Sequence, residues 1–382
     1  MVEVVRASVK AGAVGFSTSR NPGHRIPDGR SIPGTYALPD ELAAIAKAVG
    51  EHDGLMQTVM NMSDFEGEMA LLREEAACAR VLFSHFTGPT TRYGDKVEAK
   101  VMAMRDDGLD VNAMIIPRSS GFIIGLQAYL PWQGGPWDEL GEMDFEQRLA
   151  AIQKHDFQAR LLDHAKEHDP QLTAELIFPI SHGTGGSGES ATANYVGGPS
   201  ESLKGIADKA GEHPAESFIR ISSETDGKTF FTMRHFNQNL DALAKALSSD
   251  FCLPGLGDAG AHVRQVMDSG WTTFVMSYWH RDKGLFSLPE VVQQLTSAPA
   301  RIIGLRDRGT LVPGKKADLN VIKLAALSEC IPELVHDLPS GAQRLTQRAR
   351  GYRATICNGQ IILEHDRLTS SCAGSVLRNV VE

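Results

Sequence analysis

Leu253-Pro-Gly-Leu-Gly-Asp-Ala-Gly-Ala-His262 is the stretch on which the reading of this chain turns. A short apolar run ends in a carboxylate, and Gly257, Ala259, Gly260 and Ala261 keep the surroundings of Asp258 free of bulky side chains, so that a ligand can approach it. About fifty residues later, Gly309-Thr-Leu-Val-Pro-Gly-Lys-Lys-Ala-Asp-Leu-Asn-Val-Ile322 reads as a tight turn at Pro313-Gly314 that feeds a strand. A carboxylate at the C-terminal end of a strand is where the loops of a barrel assemble a site.

Six short β-branched or apolar runs are expected as strands: 12–18, 55–60, 81–85, 109–116, 228–233 and 251–256. Between most of them the apolar spacing is helical, as over 38–49, opened by Pro39-Asp40-Glu41, and over 66–79. Strands separated by helices call for a parallel sheet with crossover helices, of which a barrel is the closed form. Six strands are too few for the usual eight, so the expected fold is α/β, an incomplete TIM-type (β/α) barrel.

The stretch 132–216 breaks this rhythm and reads as an insertion, with helical pieces over 145–168 and a glycine-rich His182–Gly188. That run lacks the Gly-Lys-Ser/Thr ending of a phosphate loop and is expected to be a mobile loop. A helix over 288–303 is opened by Ser287, Pro289 and Glu290. Beyond Gly309, strands at 317–322, 352–357 and 360–363 alternate with turns, and Asn358-Gly359 is a hairpin signal, because a type I′ turn needs positive φ at both central residues. The expected division is a barrel-type domain over 1–306 and a small C-terminal β-domain segment, a β-sandwich remnant, over 307–382.

With 382 residues, 42% hydrophobic and 22% charged, the chain can bury a large core. A net charge of -9 and a pI near 5.8 argue against a nucleic-acid partner, since no basic patch stands ready to neutralise phosphates. No apolar run reaches the length of a membrane span, and the first ten residues lack the pattern of a secretion signal. The five cysteines are scattered without a Cys-x-x-Cys pair, which indicates neither a disulfide framework nor a zinc ribbon. These features point to a cytoplasmic enzyme acting on a small-molecule substrate, and they leave a homo-oligomer open.

Four residues are singled out. Asp258 sits at a strand end with open space about it; His262, four residues on, is close enough to bond substrate or to orient Asp258. His85 closes the run Val81-Leu-Phe-Ser-His85, and a strand end is a rigid place to hold an imidazole. Arg118, just past Ile115-Ile116-Pro117, is placed to pair with a substrate carboxylate.

Taken together, the Asp258 segment and the Gly309 turn resemble the closing strand and the return to the small β-domain of the amidohydrolase superfamily, specifically its N-acyl-D-amino-acid deacylase (D-aminoacylase) branch. Gly12-Ala-Val-Gly-Phe-Ser-Thr18 resembles a Gly-Ala-Leu-Gly-Phe-Ser-Thr stretch inside that family's barrel, and Val81–His85 resembles its Ile-Ser-His strand. The resemblance implies hydrolysis of a linear amide, an N-acyl-D-amino acid, by a divalent metal, zinc above all. It implies His85 and Asp258 as metal ligands, with Asp258 carrying the proton from water to the departing amine.

The chain also departs from the family. None of its thirteen histidines lies two residues from another, so the His-x-His pair of the family's first strand is missing. The family's cysteine on the second strand is missing too. Where many members show Thr-His-Met-Arg, this chain has Gln57-Thr58-Val59-Met60. A barrel whose first strands fall outside the chain is the expectation that accounts for the first two departures. A cyclic-amide hydrolase of the hydantoinase or dihydropyrimidinase kind, and a catalytically inactive barrel fragment, are the alternatives.

Overall fold

Short apolar runs build a parallel sheet, seen in a computed structural model that describes residues 1–170, 173–180 and 191–378. The strands that position the site are, in chain order, β1 (Gly15–Ser19), β2 (Leu55–Val59), β3 (Arg80–His85), β4 (Val111–Ile115), β5 (Ser120–Ile124), β6 (Ile177–Pro179), β7 (Phe231–Phe236) and β8 (Cys252–Pro254). Five of these form the parallel sheet in the order β1-β2-β3-β4-β8, with Gly15 opposite Leu55, Leu55 opposite Arg80, Val81 opposite Val111 and Ala113 opposite Cys252. Helices α1 (Val2–Lys10), α2 (Pro39–Gly50), α3 (Phe65–Ala76) and α4 (Arg92–Asp106) precede or link the first four strands.

The helices cover one face of this sheet. Met56, Val81, Phe83, Val111 and Ala113 lie fully buried there, in a core with Leu42, Ile45 and Val49 of α2, Leu72 of α3 and Val97 and Val101 of α4. Residues of the opposite parity, Gln57, Leu82, Ser84 and Met114, are only partly buried. At Gly15 the strands approach so closely that a Cβ would overlap the Leu55 carbonyl oxygen. Local chemistry fits the expected helix starts: Pro39 opens α2, the Asp64 side chain accepts from Gly67 N at 3.1 Å to open α3, and Ser287 and Glu290 form a reciprocal capping box.

Two expectations need correction. The run expected as a strand at 228–233 is β7, but it pairs antiparallel between β5 and β6 in a separate three-stranded sheet rather than joining the parallel one. A β-branched run sets strand character without setting its partner. The single helix expected over 288–303 is two, Leu288–Leu295 and Ser297–Ile303, broken at Thr296 with φ -133° and ψ -83°. Pro299 is the cause, since its ring would meet the carbonyl of Leu295 in a continuous helix and it has no N–H to give.

Residues 132–216 contribute helices 136–142, 145–152, 155–167 and 203–210 and the start of 214–224, which pack with β5 and β7 around a second core of Trp132, Trp137, Leu161, Phe218 and Phe231. The glycine-rich run expected as a loop lies outside the described residues. Toward the C-terminus, β9 (Leu319–Ile322) pairs with 352–357, which pairs with 360–364, in a four-stranded antiparallel sheet completed by 367–368. Asn358 and Gly359 turn that hairpin with φ 47° and 77°, as expected of a type I′ turn. Among the described residues no helix is long and apolar enough to cross a membrane.

Candidate active site

The C-terminal ends of the parallel strands converge on one cavity of about 210 Å³, lined in part by Asn21 and His24 after β1, Val59 and Met60 at the end of β2, His85 and Phe86 at the end of β3, Ile116 after β4, and Leu256, Gly257 and Asp258 after β8. Larger hollows occur, one of about 410 Å³ around Ser249, Gln293 and Arg301, but the strand-end cavity is the one that gathers the chemistry.

Asn237 fixes the rim. Wholly buried, with φ 54°, it takes the N–H of Thr87 on Oδ1 at 2.8 Å, gives its amide to the Ile116 carbonyl at 2.8 Å, and receives Ser119 Oγ on its own carbonyl at 2.9 Å. One side chain thereby ties the ends of β3, β4 and β7 together. On the inner face Gln57 accepts from Ser17 Oγ at 2.5 Å and donates to Ser84 Oγ at 3.3 Å, a polar ladder across three strands.

His85 shares the parity of Val81 and Phe83, which face the helices, but as the last residue of β3 it reaches the cavity wall as well. It is 6% exposed, packs 6.0 Å from the Tyr93 ring, and its Nδ1 has no hydrogen-bond partner. Burial pushes the imidazole down to about 4, so the ring is neutral at ordinary pH. Asp258 lies opposite in an exposed turn whose carbonyl accepts from the N–H groups of Ala261 and His262, both at 3.2 Å. Its own N–H and that of Ala259 are received by the buried carboxylate of Asp268, at 3.1 and 2.8 Å.

The other two expected residues are not brought to the cavity. His262 is exposed, with its ring edge-on to Phe122 at 6.5 Å. Arg118 is 1% exposed: it donates to the Met267 carbonyl at 2.6 Å, lies 3.6 Å over the Tyr195 ring, and its Nε is 3.8 Å from Glu329 Oε1. A guanidinium committed to a buried carboxylate and a ring is not presented to a ligand. Sequence reasoning missed Asn21 and His24. Their position just after a strand end, in Ser19-Arg-Asn-Pro-Gly-His24, was the available signal; His24 Nδ1 sits 2.7 Å from Ser19 Oγ.

The donor set bears on a metal. A catalytic zinc takes three protein ligands and keeps one open position. Here His24, His85 and Asp258 line the cavity, with Val59, which carries no donor atom, between them in sequence, yet among the described residues no group of three or more His, Cys, Asp or Glu side chains is arranged to hold a metal ion. The described residues on their own do not fit a divalent metal.

Known proteins resemble this chain in family and in fold. A model of the amidohydrolase family matches residues 1–363. D-aminoacylase from Alcaligenes xylosoxydans xylosoxydans is 32% identical over 109 residues, which are 28% of this chain and 21% of that protein. Among solved structures, N-acyl-D-glutamate deacylase from Bordetella bronchiseptica, in complex with zinc and a phosphonate mimic of the tetrahedral intermediate, superposes with a TM-score of 0.55 at 18% identity, covering 99% of this chain and 65% of that one. A D-aminoacylase structure described as defining a novel subset of amidohydrolases gives 0.54 at 18% identity, covering 99% of this chain and 66% of that one. At such identities the likeness is one of fold, and the chain spans less than two thirds of the length of these relatives.

Proposed function

Because the chain belongs to the amidohydrolase family, we propose that the strand-end cavity is the site of a hydrolase acting on a carbon–nitrogen bond outside peptides, and that its substrate is the linear amide of an N-acyl-D-amino acid. The observation that carries this reading is the convergence of Asp258 and His85 on one cavity at the carboxyl ends of parallel strands. On this reading residues 1–306 are the barrel-type part, interrupted over 132–216, residues 307–382 belong to the small β-domain, and the protein is cytoplasmic.

Asp258 is the proton carrier. Its carboxylate takes a proton from the attacking water as the water oxygen bonds to the amide carbon, then returns it to the nitrogen as the carbon–nitrogen bond breaks. His85 offers a neutral, unpaired ring nitrogen at the cavity wall, able to accept a proton in a hydrogen bond or to serve as one donor to a divalent metal. His262 is close enough in sequence to meet the part of a substrate that protrudes from the cavity. Zinc accompanies the Bordetella relative and would supply Lewis-acid activation; the described residues do not complete a site for it, and no step here passes through it.

Val59 at the cavity wall favours a second reading, a site that binds an N-acyl amino acid without cleaving it. Release of primary amine from N-acetyl-D-amino acids, assayed with and without added zinc and beside hydantoins, separates the two. Turnover that is abolished in Asp258→Asn supports the hydrolase. Ligand binding without turnover in either metal condition supports the second reading, and turnover that persists in Asp258→Asn removes Asp258 from the chemistry.

A further inference from the structure

Beneath the turn that carries Asp258 lies a carboxylate with no place in the chemistry above. Asp268 is wholly buried, and both its oxygens are engaged: Oδ2 receives Asp258 N at 3.1 Å and Ser120 Oγ at 3.2 Å, while Oδ1 receives Ala259 N at 2.8 Å. Since the Asp258 carbonyl already accepts from Ala261 and His262, residues 258–262 form a single tight turn, and the amides of 258 and 259 are two that the turn itself leaves unpaired. The approach is so close that a Cβ on Gly257 would overlap both Asp268 Oδ2 and the Ile116 side chain, which accounts for glycine there.

Two further ionisable side chains are buried nearby: Arg118, which donates to the Met267 carbonyl at 2.6 Å, and Glu329, 3.8 Å from Arg118 Nε. Glu329, the last residue of the short strand 328–329, is 5% exposed, and its carboxylate lies where a Cβ on Gly270 would be. Burial pushes Glu329 up to about 7, with Arg118 opposing the rise and Asp268 adding to it.

We propose that Asp268 is a positioning residue for Asp258, clamping the backbone of Asp258 and Ala259 through both carboxylate oxygens and so fixing where the Asp258 carboxylate enters the cavity, with Arg118 held in the interior by the Met267 carbonyl and Glu329 rather than by substrate. The catalytic half of this inference rests on the hydrolase reading; the clamp itself does not.

Asp268→Asn tests both halves. The amide keeps one acceptor oxygen but turns an N–H donor toward the second backbone N–H, so one of the two backbone contacts is lost. Peptide-resolved hydrogen exchange is expected to show the 257–261 segment exchanging about tenfold faster, with β2 to β4 unchanged. In the amine-release assay kcat is expected to fall on the order of 100-fold, the cost of a small misplacement of a reacting group, with KM within about twofold. A uniformly faster exchange across the protein, or unchanged exchange at 257–261, overturns the clamp. An unchanged kcat in an active enzyme, or a loss carried by KM, overturns the positioning role. Should wild type show no turnover while exchange at 257–261 still loosens in the variant, the clamp holds and it is the hydrolase reading that falls. If Asp268→Asn does not fold, Ser120→Ala removes one donor to the same carboxylate and is expected to speed exchange at 257–261 about threefold; no change there overturns the proposal.

Discussion

The buried imidazole at the cavity wall has a thermodynamic signature that can be measured without a substrate. Burial takes His85 from 6.5 down to about 4, with no neighbouring charge contributing to the shift. Between those values the unfolded chain carries a proton that the folded protein refuses, so the unfolded state binds more protons and stability falls as the solution is acidified. The window therefore opens near pH 6.5 and closes near pH 4, the loss being complete below it. A shift of 6.5 to 4 at 1.36 kcal/mol per pH unit amounts to roughly 3 kcal/mol, of which about 2 kcal/mol is already lost at about pH 5. His85→Gln removes the titration, and its packing defect is independent of pH, so it cancels when the variant is compared with wild type at two pH values. Urea unfolding at about pH 7 and about pH 5 should show wild type losing about 2 kcal/mol more than the variant, and the His85 ring resonance should not titrate above about pH 5. A stability gap between the two proteins that is the same at both pH values, or a ring that titrates near its ordinary pKa, would refute the account of His85 as a desolvated neutral base.

Glu75 tests the same physics with the opposite sign. It is buried on α3, held by Thr58 Oγ1 at 2.9 Å with its other oxygen unpaired, and burial first, with Glu68 adding to it, pushes it up to about 7. The folded state here holds the extra proton, so the penalty sets in as pH rises from 4.5 through about 7, and Glu75→Gln is expected to gain roughly 3 kcal/mol over wild type above about pH 8 and nothing below 4.5, by urea unfolding. Val59→His adds an imidazole to the cavity already lined by His24, His85 and Asp258; dialysed protein is expected to go from well below one zinc per chain to about one by elemental analysis, and an unchanged zinc content would show that position 59 does not converge with His85 and Asp258. Gly15→Ala pushes a methyl into the Leu55 carbonyl and should lower stability by about 2 kcal/mol or more in thermal unfolding, whereas full tolerance would mean that β1 and β2 can separate.

What was legible in the sequence was whatever a local pattern dictates. Apolar runs at 55–60, 81–85 and 109–116 are β2, β3 and β4 because β-branched and apolar residues suit a buried parallel sheet, and Asp258 and His85 were visible because each closes such a run. Arg118 closes one as well, and there the reasoning failed: a strand end says that a side chain leaves the sheet, not whether it enters a cavity or the interior. The residues that turn Arg118 inward, Tyr195 and Glu329, are brought beside it only by the folded chain. The same holds for Asn237, which finds Thr87 across 150 residues of sequence, and for β5, whose Ser119-Ser120-Gly121 start carries turn composition and becomes a strand only against β7.

The two readings of the cavity make different demands on the ground beneath it. A site that only holds a ligand needs shape, which Met60, Phe86, Ile116 and Val59 supply from the ends of the strands. It does not need the carboxylate of an exposed turn to be held to a fixed position. Yet the turn of Asp258 rests on Asp268, with Glu329 and its partner Arg118 buried nearby, an arrangement that costs desolvation at three ionisable groups where apolar side chains would pack more stably. Expense of that kind, placed under one particular backbone turn, is accounted for by a requirement on geometry. The requirement is met at Asp258 whether or not a metal joins His85, which is why the test of Asp268 by exchange and by the split between kcat and KM bears more directly on what this cavity does than the metal content alone.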